Sequence, residues 1–395
     1  MEIQKKLNVL FWRTGFYGAL TAGGVGTLYY SLTNEFIKNG HNVHFASGGP
    51  MNLPDKVNKH LIEYNKFLRN FPEIHNLPYN KKSTQQIIDL INNYNIDFIY
   101  LHHHDFHFGL DLLKKVKKTP IILHLDSIEY WVKKNWGKLY LSKLMKWCEE
   151  IELENANSIF VVSDVLKKQL VEFYNINESK IVVSHNGVDI DKFNPQISPD
   201  SIRDKFNLQD SFVIGYSGVF NLYHGIDTLI QASKIIINKV KNAKILLIGD
   251  GELRKYADDF AIKNNLENKI MVTGLVPFNE VPKYLAACDI LVSPFKTTNN
   301  TMFFNSPIKT FEYMAMGKPI VTTNIGQLAD ICLDENNSLV MEENNPNSLA
   351  EKVFKILENP QLANQLGKNA REFVVKNYSW SKKYELIMEI YNKLK

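Results

Sequence analysis

Short apolar runs along the chain alternate with longer stretches whose apolar residues recur every third or fourth position. The first run, Leu7, Val9, Leu10 and Phe11, predicts a strand. Residues 27–38 predict a helix with Leu28, Leu32 and Phe36 on one stripe and Gly40 past its end. Between them lies a loop holding Gly15, Gly18, Gly23, Gly24 and Gly26, and residues 41–47 follow as a second strand. A strand, a glycine loop, a helix and a strand in that order open a parallel α/β domain. The alternation continues with helices over 83–94, 109–118, 135–155 and 164–174, the last capped by Ser163, and strands over 97–102, 120–125, 158–162 and 180–184.

Asn186-Gly187-Val188-Asp189 interrupts this with a turn. Phe193-Asn194-Pro195 then leads into a polar segment through Asp200, which reads as an interdomain linker. The same grammar repeats beyond it. Strands are predicted over 212–217, 244–248, 269–273, 289–294, 319–323 and 338–341, and helices over 227–240, 252–264, 280–287, 348–357, 360–377 and 381–394. The expected division is a first Rossmann-like domain over 1–190, a second over 191–375 and a final helix over 376–395. Two doubly wound parallel sheets that face one another leave a cleft at the carboxyl ends of their strands, where such sheets bind ligands.

One stretch carries an anomaly. Residues 306–321 read as a short helix, a Gly317-Lys318-Pro319 turn and the start of a buried strand. Pro307 suits the first turn, because its missing N–H would have no partner there. Phe311, Met314 and Ala315 share a face, and Gly317 stands where a helix ends in a left-handed residue. Glu312 is set among them. A carboxylate buried there needs donors from the backbone or from a ligand; the alternative is a helix glutamate facing water.

Composition narrows the classes. Over 395 residues, an apolar share of 45% and a charged share of 22% are those of a soluble globular chain. The net charge of +4 is too small to argue for a nucleic-acid partner and allows weak attraction to anionic substrates or membrane surfaces. Cys148, Cys288 and Cys332 are far apart and in no metal spacing, which fits a reducing compartment. The first residues lead into a strand without a leader-like apolar run, and no run reaches membrane-spanning length, so a cytoplasmic protein is expected.

Several clusters could carry chemistry. Gly23-Gly24-Val25-Gly26 opens the first helix, where glycine backbone and a helix N-terminus suit a phosphate; a tight strand–helix connection would use the same residues. Gly218 to Gly225 is the matching loop of the second half, and its His224 could donate to a diphosphate or face water. His102 and His104 share a strand face as an H-x-H pair, but no matching ligand set follows and no metal is expected. His124 and Asp126 share a face at another strand end, for acid/base work or as a satisfied polar pair. Residues 131–147 set Lys133, Lys134, Lys138, Lys143 and Lys146 among Trp136, Tyr140 and Trp147, a pattern for an anionic membrane surface or for a solvated face over packed aromatics.

In their order, these motifs resemble the retaining glycosyltransferases of family 4, the glycosyl transferases group 1, with the GT-B fold. The resemblance covers nearly the whole chain. It rests on Gly23-Gly24-Val25-Gly26; on Ser184-His185-Asn186-Gly187-Val188-Asp189 with Phe193 and Pro195; on Gly249-Asp250-Gly251; on Val272-Thr273-Gly274; on Ser293-Pro294; and on residues 311–321. Tyr378-Ser379-Trp380 is similar to the family's final crossover, where the last helix returns to the first domain. The resemblance implies a nucleotide-diphosphate sugar, UDP- or GDP-linked, bound mainly to the second domain, and a hydroxyl acceptor, glycan or lipid-linked, against the first. Glu312 would take the ribose hydroxyls, and Gly249, Asp250, Gly251 and Val276 the base. Gly23, Gly24, Gly218, His224 and Lys309 would serve the diphosphate, with Asn324 to Gln327 assisting, and Asn305, Ser306, Pro307 and Ile308 the sugar. His124 and Asp126 would stand nearest the reaction. No metal or cofactor is implied, so protein cations and backbone N–H groups carry the diphosphate charge.

Some positions depart from the family's pattern. Phe304 stands where a second acid is often found, and Val219 and His224 where Arg and Lys are common. By spacing from Pro120, Asp126 takes the place of the family's usual histidine. These departures leave two rivals: a nucleotide-sugar epimerase or phosphorylase on the same plan, and a non-catalytic nucleotide-sugar-binding subunit.

Overall fold

The computed structural model describes residues 5–14, 24–62, 72–104, 106–136, 139–297 and 306–395. The chain divides into two compact units. One takes in Met1–His185 and Trp380–Lys395, the other Asn186–Phe303 and Pro307–Ser379.

Among the described residues the first unit is built on seven strands: β1 (Asn8–Arg13), β2 (Asn42–Ser47), β3 (Asn58–Leu61), β4 (Phe98–His102), β5 (Ile121–Leu125), β6 (Ser158–Val161) and β7 (Ile181–Val183). They lie in the order β3-β2-β1-β4-β5-β6-β7, every pairing parallel. All residues of β4 and β5 are buried, because helices cover both faces of such a sheet. The strand order reverses between β1 and β4, the kind of position at which open parallel sheets bind ligands at their carboxyl ends. Thr14, just past β1, binds the loop after β4. Its N and Oγ1 donate to His102 O at 3.2 and 3.1 Å, and its Oγ1 accepts from His104 N at 2.8 Å.

The final helix, Trp380–Leu394, belongs to this unit and packs on the helix Gly24–Lys38. The Tyr384 ring meets Phe36 edge-on at 4.8 Å, and its hydroxyl lies 2.8 Å from His41 Nε2.

The described residues of the second unit form six strands: β8 (Phe212–Ser217), β9 (Ala243–Ile248), β10 (Ile270–Val272), β11 (Ile290–Ser293), β12 (Ile320–Thr323) and β13 (Leu339–Met341). Their order is β10-β9-β8-β11-β12-β13, again all parallel, with the reversal between β8 and β11. Alternate residues of one strand feed different cores. Leu246 packs with Phe311, Met314 and Leu291 on one face, Ile245 and Leu247 with Ile230 and Val353 on the other. The linker turn is anchored in this unit through buried Val188 and Phe193.

The structure corrects the sequence reading in a few places. The strand β3 was not expected: Asn58, Lys59, His60 and Leu61 show no apolar face, and none of the four is buried, because β3 is the sheet edge. The helix expected over 135–155 is two, Glu129–Trp136 and Ser142–Asn155, with helix-weakening Gly137 in the sequence between them. The helix expected from 83 begins at Pro72 and carries Pro78 inside it. Short helices Asp200–Lys205 and Leu328–Ile331 lie where none was read.

Candidate functional site

In the second unit the reversal point is occupied by the helix Ile308–Ala315, whose residues from Thr310 onward are all buried. Pro307 precedes the first helical residue with extended ψ, and Gly317 closes the end at φ +64°. Tyr313 reaches back to the end of β8, where its hydroxyl accepts from Ser217 N at 2.6 Å. Lys309, one turn before it, donates to Tyr216 Oη at 2.9 Å and lies over the Tyr216 and Phe295 rings. Gly218 makes room for that ammonium: its φ is +129°, and a Cβ there would meet Lys309 Nζ at 2.9 Å. Gly249 is required for a closer approach still, since a Cβ on it would lie 2.1 Å from Gly218 O. Backbone bonds lace the two loops, Gly218 N to Ile248 O at 2.9 Å and Phe220 N to Asp250 O at 2.9 Å.

Glu312 is 7% exposed, which decides between the two readings of this residue: it is not a water-facing helix glutamate. Burial pushes its carboxyl up to about 8, and Lys192 and Lys309 pull it back toward ionisation. Burial likewise brings the Lys309 ammonium down to about 7, against the pull of Glu312. The two groups therefore exchange charge within the physiological range, as a site poised for a ligand does. Lys192, absent from the sequence reading, lies over the Phe278 ring at 3.5 Å. Its only sequence signal is its place beside Phe193 in the linker turn.

His224 departs from its expected role as a donor. Its Nδ1 lies 2.8 Å from Val219 O, so Nδ1 carries the proton and Nε2 is left as an acceptor. Burial, and then the Lys309 charge, hold its pKa far below the usual value, so the ring is neutral. Asp250 is spent locally: one oxygen accepts from Gly251 N at 2.8 Å and the other lies 3.9 Å from Arg254. Val276 is half-buried beside the core, Ser306 and Pro307 are buried, and Ile308 is half-buried. Gly23, Phe304 and Asn305 lie outside the described residues.

In the first unit the carboxyl ends of β4 and β5 bring three expected side chains together. His102 Nε2 and His124 Nε2 each lie 3.1 Å from one oxygen of Asp126. The histidine side chains are 2% and 0% exposed, whereas Asp126 is 32% exposed. Asp126 is thus the member that can touch a ligand, and the two rings stand behind it. Burial would raise its carboxyl, but His124 and His102 outweigh that and hold it well below the usual range. Burial keeps His124 neutral, down to about 4 despite Asp126. Gly24 is the exposed first residue of its helix.

These three ligand atoms lie within 4.8 Å of one another, a spacing that could hold a cation. The outer partners do not suit one. A ligating imidazole donates its second N–H to an acceptor, and His124 Nδ1 has no partner among the described residues. With Nε2–H donating to Asp126, both rings instead make a consistent hydrogen-bonded set, His102 Nδ1 accepting from Tyr29 Oη at 2.8 Å. The expected H-x-H partner His104 lies tilted against His102, 4.9 Å between ring centres, but is not one of the three.

Two parallel α/β sheets, each with a reversal of strand order, and a C-terminal helix returned to the first unit, define a GT-B protein. The glycosyltransferase family 4 description matches residues 22–192, and the glycosyl transferases group 1 description matches residues 199–373. The chain is 32% identical over 350 residues to an uncharacterized glycosyltransferase of Methanocaldococcus jannaschii, covering 85% of this chain and 90% of that one. It belongs to this glycosyltransferase family. It is 22% identical over 317 residues to the Escherichia coli UDP-Gal:alpha-D-GlcNAc-diphosphoundecaprenol alpha-1,3-galactosyltransferase, covering 78% of this chain and 79% of that one. Anabaena HepE, solved with UDP and glucose, superposes with a TM-score of 0.74 at 16% identity, over 98% of this chain and 99% of that one.

Proposed function

We propose that this glycosyltransferase is a retaining, metal-independent enzyme that moves a sugar from a nucleotide diphosphate to an acceptor hydroxyl. The observation that carries it is the buried Glu312 with Lys309 and Lys192 close enough to bias its charge, at the strand reversal of the second unit. Glu312 takes the two ribose hydroxyls, since a carboxylate accepts two donors at once. Lys309, Lys192 and the N–H groups of the Gly218 and Gly249 loops offset the diphosphate charge, the task a divalent cation has in other transferases. Gly251 and Val276 flank the base, and Ser306 to Ile308 the sugar.

The anomeric C–O bond to the diphosphate breaks while the acceptor oxygen bonds to the same face of that carbon. The acceptor's proton passes to the leaving phosphate oxygen. Asp126, ionised and outward, receives hydroxyl donors of sugar or acceptor, and His124 and His102 fix its orientation. UDP in the HepE structure supports a uridine donor, and the E. coli relative supports an undecaprenyl-diphosphate-linked or similar glycan acceptor. Exposed Tyr140, Leu141 and Trp147 beside Lys143 and Lys146 support peripheral contact with an anionic membrane from the cytoplasmic side, which vesicle co-sedimentation checks.

The test is a thermal-shift screen of UDP, GDP and ADP sugars with chelator present, followed by turnover with the stabilising donor. Glu312→Ala is expected to abolish the shift and lower kcat/KM at least roughly a hundredfold. Unchanged turnover in that variant would remove Glu312 from the site, and inversion at the anomeric carbon would remove the retaining mechanism.

A further inference from the structure

The last helix carries one side chain that its packing does not explain. Trp380, Tyr384, Ile387, Met388 and Tyr391 form the buried stripe of Trp380–Leu394, and Lys383 is buried in the same stripe at 4% exposure. A lysine ammonium is almost never buried without partners. Here it donates to Ser184 O at 2.7 Å, Ser184 Oγ at 3.0 Å and His185 O at 3.3 Å. All three acceptors are neutral. They lie just past β7, and they are fastened to β6 in turn: Ser184 N donates to Val161 O at 2.8 Å and His185 Nδ1 lies 3.0 Å from Val162 O. β6 is the direct neighbour of β5, with Leu125 paired to Val161, so the clamp is built beside the strand end that presents His124 and Asp126.

We propose that Lys383 is a positioning residue of the Asp126 subsite, locking the strand ends beside it and, when protonated, adding a buried cation to the surroundings of Asp126 and His124. Burial brings the Lys383 ammonium down to about 7, and the Asp126 carboxylate pulls it back toward the charged form. Burial is the main cause holding His124 neutral; Asp126 favours its protonation, and Lys383 and His102 oppose it. The helix that returns to the first unit is then part of the reaction centre, and its lysine adds to the burial that keeps His124 neutral, the state in which its single Nε2–H holds the Asp126 carboxylate for hydroxyl donors.

This rests on the reading that Asp126 touches substrate, and the experiment separates the two. Lys383→Gln keeps donors without charge, Lys383→Met removes both, and Lys383→Arg keeps the charge. Each is measured for kcat and KM across pH, for the His124 ring titration by NMR, and for thermal midpoint. Loss of the charge is expected to lower kcat roughly tenfold to a hundredfold, with donor KM little changed. The His124 titration and the acidic limb of kcat should both move to higher pH, and Lys383→Arg should recover most of the activity. If Lys383→Met does not fold, Lys383→Gln carries the same comparison. Wild-type kcat and an unmoved His124 titration in Lys383→Gln would overturn the proposal. Should Asp126→Asn leave turnover intact, the catalytic part of the proposal falls with that reading, while the His124 titration still reports whether Lys383 faces the cluster.

Discussion

At the scale of single residues, Lys309 and Glu312 make donor binding a proton-linked event whose sign depends on pH. Lys309 titrates at about 7 and Glu312 at about 8 in the free protein, both displaced mainly by burial. A bound diphosphate favours the ammonium, so Lys309 takes up a proton; ribose hydroxyls favour the carboxylate, so Glu312 releases one. Near pH 8.5 the glutamate is already largely ionised and uptake should dominate. Near pH 6.5 the lysine is already charged and release should dominate, each roughly a fraction of one proton. Calorimetric titration with a nucleotide sugar in buffers of different ionisation enthalpy reads both. Lys309→Met should remove the uptake and Glu312→Gln the release; binding that moves no protons at either pH would mean the pair does not meet the ligand. Glu312 was legible in the sequence because a lone acid on an apolar helix stands out. Lys192 was not, because only the chain's return past Phe278 gives it a place. His224 was legible in position but not in which nitrogen carries the proton, which depends on a carbonyl five residues away in sequence.

At the scale of elements, the central strands and long helices were readable because burial on both faces writes continuous apolar runs, as in β4, β5 and β8. The edge strand β3 carries no such run, and the ends of helices are held by contacts distant in sequence. The helix Ile308–Ala315 shows this. Arg371, on the helix Pro360–Asn377, donates to Ala315 O at 2.7 Å, Phe193 O at 2.6 Å and Ile190 O at 2.9 Å. One guanidinium thus closes the carbonyl end of the Glu312 helix and ties it to the linker turn that bears Lys192. Arg371→Ala should cost roughly 2–4 kcal/mol, since three carbonyls lose a charged donor. Arg371→Lys should recover only part, lacking the forked geometry. Denaturant unfolding gives the loss, and donor affinity should fall with it; a variant as stable as wild type would show that water replaces the guanidinium at no cost.

At the scale of the whole molecule, the unequal distribution of buried histidines predicts which unit yields first to acid. In the first unit burial holds His44, His103 and His124 each down to about 4, and His104 well below its usual value, each with smaller effects from neighbouring charges. The second unit holds one such ring, His224. An unfolded histidine titrates near 6.5. Below that pH the unfolded chain binds protons that the native ring refuses, so stability is lost as pH falls from about 6.5 toward about 4. The loss is up to roughly 2 kcal/mol per buried ring by pH 5, with less for rings that share one neighbourhood. Glu312 works in the opposite sense. Its native pKa is raised, so the native state holds a proton that the unfolded carboxyl gives up, and its burial costs less as pH falls from about 8 toward 4.5. Acid therefore weakens the first unit through several rings, while in the second unit one ring is partly offset by one carboxyl. Calorimetric scans between pH 7.5 and 5 should show one unfolding transition falling faster than the other. Arg371→Ala, which strikes the second unit alone, should lower the slower-moving one. His103→Gln, which removes a buried ring in the first unit, should flatten the pH dependence of the faster one. Two transitions that descend in parallel, or a faster one that tracks Arg371→Ala, would show that the buried histidines of the first unit do not govern its acid stability.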